Sequence, residues 1–150
     1  MSAPTRRVAV IVWAGLVATP VLFAGVALVT APQGDLRTPG LAGMFRFMAA
    51  AVVGLGLLLS RVLPPRIRSR DPGTRDTVAF ARLLVAWAIL EGAAMFPLVA
   101  EIVTGDPVLL AVAAVPLAAL VALFPTERRW RGNAVQPFPS APSGRTDRSA

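Results

Sequence analysis

Four residue types that often carry chemistry are missing from this chain of 150 residues: cysteine, histidine, tyrosine and lysine. Without cysteine, disulfides, thiolate metal sites and cysteine nucleophiles are excluded. Without histidine, the chain lacks the commonest metal ligand and the usual general base near neutral pH. Without lysine, Schiff-base chemistry is excluded as well. We therefore predict that the chain is not an enzyme and that it holds neither a metal nor a cofactor.

Because lysine is missing, arginine alone carries the positive charge, and the net charge is +7. A basic chain can bind nucleic acid, but no aromatic-rich basic face accompanies these arginines. The arginines lie instead between apolar blocks, where such residues set the orientation of membrane helices. We therefore expect the lipid bilayer, and no nucleic acid, as a partner.

Hydrophobic residues make up 55% of the chain and are concentrated in blocks. A soluble fold would disperse them with the period of a helix or a strand. The first block begins at Val8 and reaches about 34 Å as a helix, enough to cross a hydrocarbon core of roughly 30 Å. It is too long for a cleaved signal peptide, and Pro32 is a poor residue after a cleavage site, so we expect it to be retained. The pattern predicts an all-α integral membrane protein, a four-helix antiparallel transmembrane bundle with helices over residues 8–30, 41–63, 78–103 and 107–124.

The connections between the blocks indicate the orientation. The stretch "TGDP" has no basic residue; it offers Gly105 as a helix C-cap, Asp106 as an N-cap and Pro107 as a first helical residue. Arginine is concentrated at the opposite ends of the predicted helices: Arg6, Arg7, Arg61, Arg66, Arg68, Arg70, Arg75, Arg128, Arg129 and Arg131. By the positive-inside bias, both termini face the cytoplasm and the chain is a multi-pass protein of the cytoplasmic (inner) membrane. We predict a transmembrane domain over residues 1–126 and a basic, then disordered, cytoplasmic tail over residues 127–150.

Glu91 lies near the middle of the third predicted helix, where a charged side chain costs about 2.5–3.5 kcal/mol on insertion scales. Such a group pairs with a cation, faces a wet cavity or takes up a proton. No basic residue is expected at its depth, so we predict a protonated, neutral carboxylic acid at neutral pH. Two interpretations stay open: a structural acid that hydrogen-bonds across helices, or a site that binds a proton or an ion.

Arg46 is the only basic residue well inside another predicted helix. By helical rise, it lies about 7 Å from the outer end of its helix, whereas Glu101 lies about 3 Å and Glu91 about 18 Å from that side. These depths favour an ion pair between Arg46 and Glu101 near the outer interface, where both side chains are partly solvated.

Three of the predicted helices contain a proline at mid-depth, and each proline removes a backbone hydrogen bond and predicts a kink: Pro20, Pro97 and Pro116. Small residues four positions apart allow helices to approach closely. Two such pairs are candidate helix contacts: Ala14 with Ala18, and Ala50 with Gly54.

The loop Arg70-Asp71-Pro72 precedes the helix that carries Glu91, in the stretch "ILEGAAMFPLV". In this respect the segment 44–103 resembles the hairpin subunit c, or proteolipid, of rotary ATP synthases. That family has an Arg-Gln-Pro or Arg-Asn-Pro loop followed by a midmembrane carboxylate among small residues. The resemblance implies that Glu91 is the ion-binding carboxylate of a ring-forming subunit. The chain departs from the family in its longer, more basic loop, in its extra flanking helices, and in having only Gly54 and Gly56 where the family has a glycine ladder.

The residue inventory and the predicted bundle favour a small accessory or structural membrane protein. Such a protein associates with itself, as a homo-oligomer, or with a larger membrane complex. The alternative function is proton or ion handling through Glu91, as a proteolipid-like subunit or a transporter element.

Overall fold

The computed structural model describes residues 3–30, 39–67 and 75–126, and these segments are almost entirely helical. The elements are, in chain order, α1 (Ala3–Thr30), α2 (Pro39–Val62), a short 3-10 helix (Pro64–Arg66), α3 (Arg75–Thr104) and α4 (Pro107–Ala122). The all-α prediction is therefore confirmed for the described part of the chain. The loop Arg70-Asp71-Pro72 and the predicted tail 127–150 lie outside the described residues.

Three helices, α1, α2 and α3, are long and apolar enough to cross a membrane. The helices α1 and α3 begin several residues before the apolar blocks, at Ala3 and Arg75, so the blocks mark only the parts of these helices that suit hydrocarbon. The fourth helix is shorter than predicted. Its 16 residues rise about 24 Å, less than the roughly 30 Å of a hydrocarbon core.

The turn between α3 and α4 has the predicted chemistry. Gly105 adopts φ 62°, the left-handed conformation that favours glycine, and its N–H donates to the Glu101 carbonyl over 2.6 Å. The Asp106 side chain accepts from the Val108 N–H over 3.2 Å and caps α4, which begins at Pro107. This two-residue connection makes α3 and α4 antiparallel neighbours.

The helix α3 is the centre of the bundle. Half of its apolar stretch is buried inside the protein, compared with 17% for α2 and 11% for α1. It contacts α1, α2 and α4, whereas the backbones of α1 and α2 do not come close to each other within the described residues. The main core cluster joins α1, α3 and α4 through Ala9, Ala79, Leu83, Trp87, Leu90 and Leu120. A smaller one joins α2, α3 and α4 through Ala49, Ala100 and Leu109.

The outer surfaces of α1 and α2 are apolar. Val29 is 84% exposed, Phe47 78% and Ile11 70%, and other large aliphatic side chains on both helices are more than half exposed. Water-soluble monomers rarely expose apolar surface over such an extent. The exposed surface of the bundle therefore suits hydrocarbon.

The three prolines predicted to kink helices lie inside α1, α3 and α4, and all three are fully buried: Pro20, Pro97 and Pro116. They therefore face the interior of the bundle. The degree of bending stays a prediction.

The helices α2 and α3 approach each other closely at Gly56. A Cβ atom added to Gly56 would lie only 2.6 Å from the Cβ of Ala93 and 3.7 Å from the Ile89 carbonyl oxygen. By contrast, both small-residue pairs that the sequence suggested as helix contacts are exposed: Ala14 with Ala18, and Ala50 with Gly54. The close contact inside this chain therefore depends on a single glycine.

Two tryptophan indoles donate hydrogen bonds to carbonyl groups at the C-terminal end of α4. The Trp13 Nε1–H donates to the Leu120 carbonyl over 3.0 Å, and the Trp87 Nε1–H donates to the Leu123 carbonyl over 3.1 Å. The last carbonyls of a helix have no partner in the helix itself, and leaving them unpaired in an apolar interior is costly. Trp13 and Trp87 thus act as side-chain caps for α4, supplied by α1 and α3.

Candidate functional site

Glu91 lies near the middle of α3. It is nine residues from Arg82 and ten from Glu101, and at 1.5 Å per residue it is about 14 and 15 Å from these two charged positions. Its side chain is only partly buried. No arginine of the described segments forms an ion pair with Glu91.

Thr19 of α1 is the neighbour of Glu91 that sequence reasoning missed. The Thr19 side chain lies near the Glu91 carboxyl group, and its hydroxyl donates to the Gly15 carbonyl over 3.1 Å. With that hydrogen used, the Thr19 oxygen is left as an acceptor. The sequence did mark Thr19 as a candidate polar neighbour, because it is the only hydroxyl residue between Val8 and Val29.

One side of α3 is left uncovered between α1 and α2. We call the exposed residues Leu84, Ala88, Gly92 and Val99 the open face of α3. A Cβ atom added to Gly92 would have no other atom within 4 Å. Glu91 lies beside this face, directly before Gly92 and three residues after Ala88 on the helix. The open face is thus lined by two small residues at the depth of the carboxyl group.

Arg46 forms its ion pair with Asp106, and this corrects the predicted pair of Arg46 with Glu101. The Arg46 Nε donates to Asp106 Oδ2 over 2.6 Å, and its Nη2 donates to Oδ1 over 3.0 Å. Asp106 is 6% exposed and the Arg46 side chain 52% exposed. Sequence reasoning had assigned Asp106 only to the cap of α4. Asp106 caps α4 and pairs with Arg46 at the same time. A carboxylate has enough lone pairs to accept all of these hydrogen bonds.

Glu101, the predicted partner, is buried instead. It is 2% exposed, and its Oε2 has no hydrogen-bond partner among the described residues. One turn further along α3, the Thr104 hydroxyl is also buried and donates to the Ala100 carbonyl over 2.8 Å. We call Arg46, Glu101, Thr104 and Asp106 the turn cluster, because they surround the turn between α3 and α4.

Arg82 has a structural task at the other end of α3. It is 8% exposed, and its Nε donates to the Ile67 carbonyl over 3.0 Å. This bond joins the segment that follows α2 to the first turns of α3. Arg82 therefore contributes to packing as well as to the positive charge of that end.

No protein-family model, curated protein or solved structure matches this chain. The resemblance to subunit c therefore stays a prediction, and the function has to be argued from the open face, Glu91 and the turn cluster.

Proposed function

We propose that this chain is a multi-pass protein of the cytoplasmic membrane with an accessory role, which packs the open face of α3 against a helix of a second copy or of a larger membrane complex. In this proposal the four helices run antiparallel and both termini face the cytoplasm. The single observation that carries it is the partly exposed Glu91 carboxyl beside the exposed small residues Ala88 and Gly92.

The membrane part of the proposal is supported by the three long apolar helices and their exposed apolar surfaces. The orientation is supported by the arginines at the ends opposite the "TGDP" turn. Although α4 is short, the chain after it soon reaches Arg128 and Arg129, which suit the cytoplasmic headgroup region.

The association part is supported by the energetics of Glu91. A polar group that is partly exposed to hydrocarbon is unfavourable, by about 2.5–3.5 kcal/mol if it is charged. Ala88 and Gly92 let a second backbone approach closely, and a helix packed there covers the carboxyl group. Because α1 and α2 do not contact each other in the described residues, neither of them closes this face from within the chain.

Gly92→Leu is expected to weaken association about tenfold or more, because the new side chain fills the space that a second helix needs. The measurement is the association constant of the purified protein in lipid bilayers, together with the yield of any membrane protein that purifies with it. Gly54→Leu is the matched control, since Gly54 is also an exposed helical glycine with no atom within 4 Å of an added Cβ. Equal effects of the two variants, or a wild-type chain that stays monomeric and alone, would contradict the proposal.

The position of Thr19 near the intramembrane carboxyl group of Glu91 favours a second candidate function, proton or ion handling. A carboxyl group that can exchange a proton beside a hydroxyl acceptor is the minimal part of an intramembrane ion site. The resemblance to subunit c leads to the same candidate.

Glu91→Gln separates the two candidates. If Glu91 handles ions, this variant is expected to fold normally but to abolish proton or sodium flux in liposomes, and dicyclohexylcarbodiimide should label the wild type but not the variant. If flux and labelling are unaffected while Glu91→Leu lowers thermal stability, the accessory role stands and ion handling is refuted.

A further inference from the structure

Two exposed arginines lie where α2 ends. Arg61 belongs to the last turn of α2, and Arg66 ends the 3-10 helix that follows. Both side chains are exposed, and neither forms an ion pair with an acid of the described residues. The sequence contains no acidic residue between Asp35 and Asp71. The negative end of the α2 dipole offsets only about half a charge, so this end of the helix keeps a positive charge.

The segment that carries Arg66 is held against the bundle. Pro64 is buried, and the Ile67 N–H donates to the Pro64 carbonyl over 3.2 Å. The Ile67 carbonyl in turn accepts from the buried Arg82 of α3 over 3.0 Å. The 3-10 helix also packs on both α2 and α3. A ligand at Arg66 therefore does not have to order the backbone, which lowers the entropic cost of binding.

Exposed aliphatic side chains precede the two arginines. Leu58 and Val62 lie four residues apart on the same side of α2, and Arg61 lies three residues after Leu58. This side of α2 thus changes from aliphatic to guanidinium within one helical turn, about 5 Å. The headgroup region on each side of a bilayer has a similar depth, about 5–7 Å. We call this set of exposed residues the basic edge: Leu58, Arg61, Val62, Leu63 and Arg66.

We propose that the basic edge binds acidic phospholipids, with the phosphates on its two arginines and the acyl chains on its aliphatic side chains. Arginine N–H groups form bidentate hydrogen bonds with phosphate oxygens. Five residues separate Arg61 from Arg66, a rise of about 9 Å or less, so both side chains reach the headgroups of one lipid or of two neighbours. A nucleic acid would satisfy the arginines but leave Leu58 and Val62 uncovered.

The inference rests on the membrane location and orientation in the proposed function. In that orientation the basic edge meets the cytoplasmic leaflet, whose acidic lipids attract arginines next to a transmembrane helix. It involves neither the open face of α3 nor Glu91.

The test compares phosphatidylglycerol, an acidic lipid, with zwitterionic phosphatidylcholine of the same acyl chains. The dissociation constant of each fluorescently labelled lipid is measured for the full-length protein in a non-ionic detergent. Two arginines at the headgroups are expected to favour the acidic lipid about 30-fold, which corresponds to about 2 kcal/mol. At about 1 M salt, where the screening length is about 3 Å, most of this preference should disappear. Equal affinities at low salt, or tighter binding of a single-stranded oligonucleotide than of the acidic lipid, overturn the proposal.

Substitutions of arginine assign the preference to the basic edge. Arg61→Gln combined with Arg66→Gln is expected to remove the preference, and each single substitution should lower it about fivefold. Arg145→Gln combined with Arg148→Gln is the matched control, because it removes the same charge far along the sequence from the basic edge. This control should keep the preference. Equal losses in the two double variants would assign the effect to net charge and overturn the proposal.

Gly92→Leu separates this inference from the association in the proposed function. We expect this variant to lose association but to keep the lipid preference, and the double variant of Arg61 and Arg66 to do the reverse. Association without a lipid preference in the wild type overturns the inference alone. A lipid preference without association contradicts only the proposed packing of the open face.

Discussion

Replacing Trp87 with phenylalanine is expected to destabilise the bundle by about 1–3 kcal/mol, and replacing it with alanine by about 3–5 kcal/mol. Trp87 is fully buried, and its indole is the one described donor to the Leu123 carbonyl. Phenylalanine keeps most of the ring but leaves this oxygen unpaired in an apolar interior. Alanine removes the packing with Leu83, Leu90 and Leu120 as well. The free energy of unfolding can be measured by denaturant titration in mixed micelles.

Trp13→Phe is the matched control for the lost indole hydrogen bond. Its partner, the Leu120 carbonyl, also accepts from the Leu123 N–H over 3.2 Å, so it keeps one bond when the indole is removed. The Trp13 ring packs on Phe124 with the ring centroids 4.9 Å apart. A phenylalanine at position 13 retains most of this packing. We therefore expect a smaller loss than for Trp87→Phe. Equal losses would show that the role of Trp87 as a cap has been overestimated.

The second large effect is expected at Gly56. Gly56→Ala places a Cβ atom 2.6 Å from the Cβ of Ala93, and neither of these two atoms can rotate away. The helices α2 and α3 must separate, at a cost of about 1–3 kcal/mol. Gly56→Leu should prevent the native packing of the pair. Thermal unfolding and denaturant titration of the purified variants measure the effect.

Two further variants isolate the steric cause at Gly56. Adding Ala93→Gly to Gly56→Ala removes the clashing methyl group, and the nearest remaining atoms lie 3.7 and 3.9 Å away, so most of the lost stability should return. Gly54→Ala on the same helix has open space around its Cβ and should be neutral or stabilising by up to about 1 kcal/mol. A double variant as unstable as Gly56→Ala alone would contradict this account.

The sequence was sufficient to predict the helices because long blocks of mostly apolar residues have few other structures open to them. It also predicted the turn at Gly105 and Asp106, where backbone conformation and capping are local properties of the residues. It could not predict that α3 lies at the centre. Alanine is frequent in all four helices and is buried in α3 at Ala93 but exposed in α1 at Ala14, so composition does not show which helix is surrounded.

The contacts between helices were harder to predict for a related reason. Depth alone made Glu101 the partner of Arg46, but rotation about the helix axis turns Glu101 inward and leaves Asp106 beside the guanidinium. The roles of Thr19 and Trp87 were missed because the groups beside them, the Glu91 carboxyl and the Leu123 carbonyl, come from distant parts of the chain. Such contacts depend on how the helices rotate against each other, which hydrophobic patterning does not determine.

The lack of contact between α1 and α2 has a consequence for biosynthesis. The helices α1 and α2 are synthesised first, and in the described residues both pack on α3 and not directly on each other. Neither helix can form these native contacts before α3 has been synthesised. The native packing of the first two helices therefore starts only after synthesis has passed Arg75, the first residue of α3, at the middle of the chain.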